Sequence, residues 1–412
     1  MQGPATFASD HSRAIRPAGM RSHAGVLAVL RFTHDGDVGD EALTDGLVED
    51  VLNGVARCGG ATVLSYSSSF AFGSDTGVGL GAVAEGLGAD RLLEGVVRLD
   101  GSRVLIFVNL LEGGGSEPVW GERYAVEGAD LFRAQQDIVS EVVRVTAPGL
   151  AGCVDQVMRP PTENFAAYMS VLRGTALMRS GSPGDREQAR TLFATAAIRD
   201  PHFGLAYSSL ALSKLALAGF GAAPAAVLTE AAELAAHALA MAPDEPRCYR
   251  VLGLVRLYLR DHAGSEEAVR RSHELNPCDA ETMAQMAFLL TLRGRPAEAL
   301  QWLDDAVRLN PIHPDWYHYD RALAFYAIGQ YRAAAASLSR LPVLEPGART
   351  RLAACHAQLG ELDVASRHMA LLRRLHPRFS PQHYVSRSLA FEQHADAEHL
   401  SDGVMKALQA AA

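Results

Sequence analysis

Residues 297–311 read AEALQWLDDAVRLNP, and the proline that ends this stretch recurs at a fixed distance along the chain. Pro243, Pro277 and Pro311 follow one another at intervals of 34 residues. A fixed period between 20 and 50 residues is typical of a repeat array, in which each repeat is one supersecondary unit stacked on its neighbours. The period therefore predicts a tandem array that organises most of the chain.

Three small or apolar residues precede each proline at the same offsets, which are twelve, eight and five residues. They are Ala299, Leu303 and Ala306 before Pro311; Ser265, Val269 and Ser272 before Pro277; Ala231, Ala235 and Ala238 before Pro243; Ala189, Phe193 and Ala196 before Pro201; and Ala365, Met369 and Leu372 before Pro377. A further unit is expected to end at Pro346. Because residues at this spacing form one stripe of a helix, each unit predicts two packed helices, with the proline just after the second.

The composition is typical of a folded chain with more than one domain, since 48% of its 412 residues are hydrophobic and 21% are charged. Its five cysteines are scattered without a C-x-x-C pair, so we expect reduced packing residues and neither a zinc site nor a disulfide framework. They are Cys58, Cys153, Cys248, Cys278 and Cys355. No apolar stretch has the length of a signal peptide or a bilayer span, which predicts a cytoplasmic protein without membrane insertion.

Charge is unevenly distributed along the chain. Residues 24–150 carry 8 arginines against 19 acidic residues, a net charge of −11, whereas residues 151–412 carry 27 basic and 27 acidic residues. A nucleic-acid surface needs clustered Lys or Arg to replace the counterions of phosphate. We therefore expect no direct contact with nucleic acid.

The region before the repeats has a different pattern. GVLAVLRF (25–32) is a short apolar run of the buried-strand type, and the next segment carries a helical stripe: Leu43, Leu47, Val48, Val51, Leu52 and Val55. Further strands are predicted in ATVLSYSS, on both sides of the Asp100-Gly101 hairpin signal and in EPVWGERYAV, with helices in GLGAVAEGLG and ADLFRAQQDIVSEVVRVTA. This order predicts an α/β layer with helices over one sheet.

Both parts of the chain resemble known families. VLAVLRF, DEALTDGLVEDVLNGVAR, SSSFAF, ADRLLEGVVRLDGSRVLIFVNLL and WGERYAVEGADLFRAQQDIV resemble, in order and spacing, the TolB amino-terminal-like domain of bacterial signalling proteins. The 34-residue unit resembles the tetratricopeptide repeat (TPR), most fully over residues 280–311. The closing DAEHLSDGVMKAL is similar to the tails of cyclase-linked members. The resemblance implies an effector, either a class III nucleotide cyclase or a winged helix-turn-helix, and we expect it to be absent because residues 1–23 are too few to form one.

The predicted fold is an α/β amino-terminal domain followed by an all-α TPR superhelix, an α-solenoid. The expected segments are a flexible leader (1–23), a TolB amino-terminal-like α/β domain (24–150), a linker (151–164), TPR-like helical repeats (165–380) and carboxy-terminal capping helices (381–412). About six helical hairpins would coil into a right-handed superhelix with a concave groove.

No catalytic, cofactor or metal site is predicted. GVGLGA (77–82) loosely matches a dinucleotide fingerprint but does not follow a clean strand, and its glycines are interpreted as turn and packing residues. YSSSF (66–70) is interpreted as a polar strand end, although the Ser67–Ser69 loop could also bind an anion. The clustered histidines lack an H-E-x-x-H pattern, and no G-x-S-x-G is present.

The sequence thus favours a non-enzymatic interaction and regulatory protein that binds a protein or peptide in the groove. The first helix of each pair is expected to line the groove, beginning near residues 246, 280 and 315. The predicted partner-binding residues are Arg250, Arg256, Gln285, Trp316, Tyr319 and Arg321. An alternative is a regulatory subunit or effector-less relative of a nucleotide cyclase or transcriptional regulator. Homo-oligomerisation is left open.

Overall fold

The computed structural model describes residues 25–35, 41–72, 79–100, 103–113, 118–127 and 130–411. By its internal contacts the chain divides into two compact units, Met1–Met158 and Arg159–Ala412. The expected leader, residues 1–23, lies outside the described residues. None of the helices within the described part is long and apolar enough to cross a membrane.

The first unit contains a mixed sheet with helices. Its strands are β1 (Val26–Val29), β2 (Thr33–Asp35), β3 (Thr62–Val63), β4 (Arg91–Asp100), β5 (Arg103–Glu112) and β6 (Pro118–Glu127). The sheet order is β3-β1-β4-β5-β6, with β2 also paired to β4. Strand β1 is parallel to β3 and β4, whereas β4, β5 and β6 are antiparallel. Asp100 at the end of β4 is paired with Arg103 at the start of β5, at the position where the sequence predicts a hairpin.

The helices of the first unit are α1 (Glu41–Cys58), α2 (Tyr66–Phe70), α3 (Leu80–Leu87), α4 (Leu131–Thr146) and α5 (Val154–Val157), with a 3-10 helix at Pro148–Cys153. All six residues of the predicted stripe on α1 are buried, and α1 packs on α4. Alternate residues of β5 are also buried: Val104, Ile106, Val108 and Leu110. The core of this unit therefore forms where helices cover one sheet, as the periodicity of the sequence predicts.

Two expectations for this unit are wrong. YSSSF forms the helix α2 instead of a strand end, and Ser68 and Ser69 are fully buried, so this stretch does not present an open hydroxyl loop. Cys58 and Cys153 form a disulfide across 95 residues, so they are not reduced packing residues. Residue spacing could not reveal the pair, because only the packing of α1 on α4 brings the end of α1 to the 3-10 helix. Residues 151–164, expected to be a linker, contain the end of that 3-10 helix and all of α5.

The second unit is a series of helices. They are α6 (Phe165–Ser180), α7 (Pro183–Arg199), α8 (Gly204–Leu217), α9 (Ala225–Met241), α10 (Pro246–Tyr258), α11 (His262–Leu275), α12 (Ala280–Leu292), α13 (Pro296–Leu309), α14 (Trp316–Ala327), α15 (Tyr331–Leu338), α16 (Pro346–Gln358), α17 (Leu362–Leu375), α18 (Pro381–His383) and α19 (His394–Ala410). A π-helical turn, Tyr384–Ser388, follows α18. From α6 to α17 the helices pack in consecutive pairs, which confirms the predicted six hairpins.

The repeat pattern has the predicted physical cause. Each of the fifteen residues at the three repeated offsets is at most 2% exposed, because it lies where the second helix of a hairpin meets its neighbours. Five of the prolines follow the end of a second helix: Pro201, Pro243, Pro277, Pro311 and Pro377. Pro346 does not, which corrects the expected end of that unit. Helix α15 already ends at Leu338, and Pro346 is the first residue of α16.

The turns inside the six hairpins share one backbone conformation. In five of them a glycine has a φ between +75° and +78°: Gly181, Gly219, Gly294, Gly329 and Gly360. In the third hairpin the corresponding residue is Arg260, with a φ of +66°. Residues with a Cβ are disfavoured in this left-handed region, so Arg260 stands at a strained position that its neighbours assign to glycine.

Candidate functional site

The first helices of successive hairpins contact one another and form one continuous surface. Contacts link α6 to α8, α8 to α10, α10 to α12, α12 to α14 and α14 to α16. We call this surface, made by the first helices, the inner face, after the expectation that the first helix of each pair lines the concave side of a repeat array. The structure places all six predicted partner-binding residues on α10, α12 and α14, which begin at Pro246, Ala280 and Trp316 as expected.

The three predicted arginines are paired with carboxylates of the same chain. Arg250 Nη1 lies 3.3 Å from Glu281 Oε2, Arg256 Nε lies 3.8 Å from Asp261 Oδ2, and Arg321 Nη1 lies 2.7 Å from Asp304 Oδ1. Their side chains are between 21% and 35% exposed. Ion pairs at such positions contribute about 0–1 kcal/mol, so exchanging one carboxylate for another costs little.

The other predicted residues have different surroundings. Gln285 Nε2 donates a hydrogen bond of 2.9 Å to the carbonyl of Arg250, which ties α12 to α10. Trp316 is 38% exposed and its ring meets the ring of Tyr317 edge-on, with 4.4 Å between the centroids. Trp316 is thus the aromatic residue of the predicted set that solvent reaches most directly.

Tyr319 contacts a part of the chain that the sequence did not place here. Its hydroxyl is hydrogen-bonded to the hydroxyl of Tyr384 at 2.5 Å, although the two residues are 65 positions apart. The guanidinium carbon of Arg351 lies 3.3 Å from the centre of the Tyr319 ring. A Cβ on Gly347 would come within 2.9 Å of both tyrosines, so this glycine permits the close approach.

Tyr384 begins a stretch that we call the C-terminal segment, residues 384–393, and this segment lies against the turns of three hairpins. The Ser388 carbonyl lies so close to Gly221, in the second hairpin, that a Cβ there would overlap it. In the third, His262 Nε2 is 2.6 Å from the carbonyl of Ala390. In the fourth, the amide of Glu392 donates a hydrogen bond of 2.8 Å to the carbonyl of Leu292.

Two arginines of these turns also hold the C-terminal segment. Arg260 Nη1 donates to the carbonyl of Phe391 at 3.3 Å, and its Nη2 donates to the carbonyl of Arg387 at 3.4 Å. Arg293 Nε donates to Glu392 Oε2 at 2.8 Å. Most of these contacts are made to the main chain of the segment. The array therefore holds this stretch largely by its backbone.

A buried charge lies under Tyr384. Arg351 is 1% exposed, and its three guanidinium nitrogens have no hydrogen-bond partner among the described residues. Asp320 on α14 is also buried, and burial raises the pKa of its carboxyl to about 7, although the charge of Arg351 opposes this shift. The site thus combines a cation, a carboxyl that titrates near neutral pH and the phenols of Tyr319 and Tyr384.

Sequence reasoning missed the C-terminal segment, Arg260 and Arg351. One signal was available for Arg260, because it stands 34 residues before Gly294 and breaks the glycine pattern of the turns. Elsewhere, no group of three His, Cys, Asp or Glu side chains that could hold a metal occurs within the part of the chain that the structure describes.

The six consecutive helical hairpins define a TPR-like helical repeat protein. No family model matches the chain. A protein of Rhizobium meliloti (strain 1021) named "Putative adenylate cyclase 3" is 28% identical over 250 residues, which are 59% of this chain and 42% of that protein. The chain therefore matches less than half the length of this relative.

Solved structures of repeat proteins are similar to this chain. A tetratricopeptide repeat protein of Parabacteroides merdae matches 68% of this chain and 99% of its own, at 13% identity and a TM-score of 0.38. PilF of Pseudomonas aeruginosa matches 52% and 93%, at 17% identity and a TM-score of 0.39. A thermophilic TPR protein of Thermus thermophilus matches 58% and 100%, at 23% identity and a TM-score of 0.27.

Proposed function

We propose that this protein is a non-enzymatic regulatory scaffold of bacterial signal transduction that binds a protein or peptide on its inner face. One observation carries the proposal: the C-terminal segment of the chain itself meets the first helix α14 through Tyr384 and runs along the hairpin turns, where it is held mainly through main-chain carbonyls. A surface that holds a segment of its own chain through the carbonyls of that segment has the hydrogen-bonding groups to hold another peptide.

The six predicted residues take two roles in this proposal. Arg250, Arg256 and Arg321 would exchange weak pairs within the chain for carboxylates of the partner, and Trp316 would supply an aromatic anchor of the kind that dominates binding hot spots. Gln285 would keep α10 and α12 in register. Tyr319 would contact a partner only after the C-terminal segment moves, since its hydroxyl already bonds Tyr384.

The test is capture of partners from native host cells, followed by mass spectrometry, with the tagged wild-type chain and with Arg250→Ala combined with Trp316→Ala. We expect the double variant to lose at least tenfold of the captured partner while keeping the melting midpoint. The matched control is Ile198→Ala on α7, a second helix, where the side chain is 80% exposed. Equal capture by all three chains contradicts binding at the inner face.

A regulatory subunit or effector-less relative of a nucleotide cyclase or transcriptional regulator is the second candidate, which the similarity to the Rhizobium protein favours. It rests on the resemblance of residues 24–150 to the TolB amino-terminal-like domain. Here the captured partner would be a cyclase or a DNA-binding protein, and its activity would change when the purified chain is added. Partners without either activity contradict this candidate.

The purified chain alone is expected to make no cyclic nucleotide and to bind no duplex DNA specifically. The reason is the net charge of −11 over residues 24–150 and the neutral balance of residues 151–412, which offer no excess of cations to phosphate. A sequence-dependent mobility shift at sub-micromolar protein and physiological salt would overturn this expectation. The cytoplasmic location and a homo-oligomeric state are parts of the proposal that cell fractionation and light scattering test.

A further inference from the structure

The C-terminal segment is poorly matched in charge to the surface that holds it. Three arginines of the array face it: Arg260, Arg293 and Arg351. The segment offers a carboxylate to one of them, in the pair of Arg293 with Glu392. Arg260 reaches two neutral carbonyls, and Arg351 meets the ring of Tyr319 and lies close to Tyr384. Two guanidinium groups therefore face the segment without an anion from it.

Arg260 is disfavoured twice in this arrangement. Its backbone has a φ of +66° where the other five turns use glycine. Burial and the positive charge of Arg387 in the segment lower the pKa of its guanidinium, so the segment presents a like charge to this side chain. A non-glycine residue held in a strained backbone conformation is a pointer to function, because such strain persists only where the surrounding structure holds it in place and it occurs often at ligand-binding sites.

Arg351 gives an independent indication. A buried cation is stabilised when an anion with good hydrogen-bond geometry lies beside it, and an unpaired buried charge is strongly destabilising. Arg351 is 1% exposed, and no hydrogen bond to its guanidinium nitrogens is present within the described ranges. Tyr384 covers the site with a phenol that is itself buried. The buried carboxyl of Asp320 is near Arg351 but makes no hydrogen bond to its guanidinium, so an arriving carboxylate would find these nitrogens available.

We propose that the C-terminal segment is a displaceable occupant of a docking surface for an acidic peptide, whose carboxylates pair with Arg260 and Arg351. This inference rests on the proposed function and adds the chemistry of the partner and the competition. A segment tethered to its own binding surface has a high effective concentration, so weak contacts suffice to keep the surface covered. A peptide with better charge complementarity displaces it, since a guanidinium can bind a carboxylate through two parallel hydrogen bonds, which adds energy and geometric specificity.

Two labelled peptides test the proposal by fluorescence anisotropy with the full chain. The natural-sequence peptide is YVSRSLAFEQ, residues 384–393. The acidic peptide has the same sequence with Tyr384→Glu and Arg387→Glu, which places carboxylates toward Arg351 and Arg260. We expect the acidic peptide to bind at least tenfold more tightly than the natural-sequence peptide. Equal affinities of the two peptides would overturn the proposal.

Variants of the chain locate the binding. Arg260→Gly introduces the residue that the five sister turns contain, so it is expected to fold, and it should lower the affinity for the acidic peptide at least fivefold. Glu392→Gln weakens the hold on the segment and should tighten the binding of both peptides. The controls are Arg271→Ala and Glu274→Gln, which each remove an exposed charge from the end of α11 far from His262 and should change nothing.

Displacement is measured separately, by tryptic cleavage after Arg387 in the chain, a bond that the acidic peptide lacks. The acidic peptide should increase this cleavage severalfold. Binding without increased cleavage, or binding unaffected by Arg260→Gly, places the peptide elsewhere and refutes the inference. A captured partner that depends on Arg250 and Trp316 but leaves Arg387 protected would keep the proposed function and reject this inference. Displacement of the segment by the acidic peptide, with no partner captured from cells, would keep this inference and reject the proposed function.

Discussion

At the scale of single residues, the inner face contains two ionisable side chains that are buried instead of exposed to water. Asp320 and Arg351 are both buried, and each is surrounded by phenols more than by water. Since ionic groups of this kind are costly to bury, they contribute little to stability by themselves. We expect Asp320 to make stability depend on pH and Arg351 to bind an added anion.

Replacing Asp320 by Asn should abolish one pH dependence of stability. Above about pH 4 the unfolded Asp320 loses its proton, whereas burial keeps the folded carboxyl protonated up to a pKa of about 7. The free energy of unfolding of the wild type therefore falls, relative to Asp320→Asn, as pH rises from 4 to 7, and the difference is level above pH 7. Urea unfolding at several pH values measures it. Asp315→Asn, at the exposed start of α14, is the control, and a flat difference for Asp320→Asn contradicts the buried carboxyl.

Leu303 tests the helix contact that the repeat pattern predicts. Its side chain is fully buried at one of the three repeated offsets of α13. Leu303→Ala leaves a cavity between the paired helices and should lower the free energy of unfolding by about 2–4 kcal/mol. Chemical denaturation provides the measurement, with Leu375→Ala on α17 as control because that leucine is 52% exposed. A midpoint equal to that of the wild type would remove Leu303 from the core.

At the scale of elements, regular and irregular structure differ in what the sequence reveals. The hairpins were predictable because a proline such as Pro277 and small or apolar residues such as Ala299 recur at the same spacing in five of the six units, so several copies of one pattern indicate the same contact. Three features were not predictable: helix α2, the disulfide of Cys58 and the position of Pro346 at the start of α16. Each occurs once in the chain, so no repeated pattern indicates it. The C-terminal segment was the least predictable element, because no periodic pattern in the sequence indicates that Tyr384 contacts Tyr319.

Two glycines in equivalent turns should respond differently to substitution. Gly329 has a φ of +76° and open space around a would-be Cβ, so Gly329→Ala should cost roughly 1 kcal/mol from the backbone alone. Gly294 has a φ of +78°, and a Cβ there would lie 3.0 Å from Asp396 Oδ2 and 3.4 Å from Gln393 Cγ. Gly294→Ala should therefore cost more and should increase tryptic cleavage after Arg387. Equal costs measured by denaturation would mean that the C-terminal segment yields freely at this turn.

At the scale of the whole molecule, the chain combines two units with different sources of stability. Met1–Met158 has a sheet core and a disulfide, whereas Arg159–Ala412 relies on stacked hairpins, each of which contacts mainly its neighbours. Two units of this kind are expected to unfold as separate transitions, so a single unfolding free energy does not describe the chain.

The disulfide provides the test of this separation. Reduction of Cys58–Cys153, or Cys58→Ser, opens a loop of 95 residues and should lower the stability of the first unit by about 2–5 kcal/mol. The transition of the second unit should not move, because its cysteines Cys248, Cys278 and Cys355 are buried thiols outside any disulfide bond. Calorimetry with and without reductant resolves the two transitions. A shift of both would show that the units unfold together.

The path of the chain after α17 also constrains how the array can evolve. Stacking between neighbours tolerates the loss or duplication of a hairpin, and repeat proteins commonly vary in length for this reason. Here the C-terminal segment touches the second, third and fourth hairpins, and α19 reaches the fifth through Tyr331 and His399 and the sixth through Gln358 and Asp402. One extra 34-residue unit would move these contacts out of register. Insertion or loss of a hairpin would therefore break the contacts of the tail, which favours keeping the six hairpins described here.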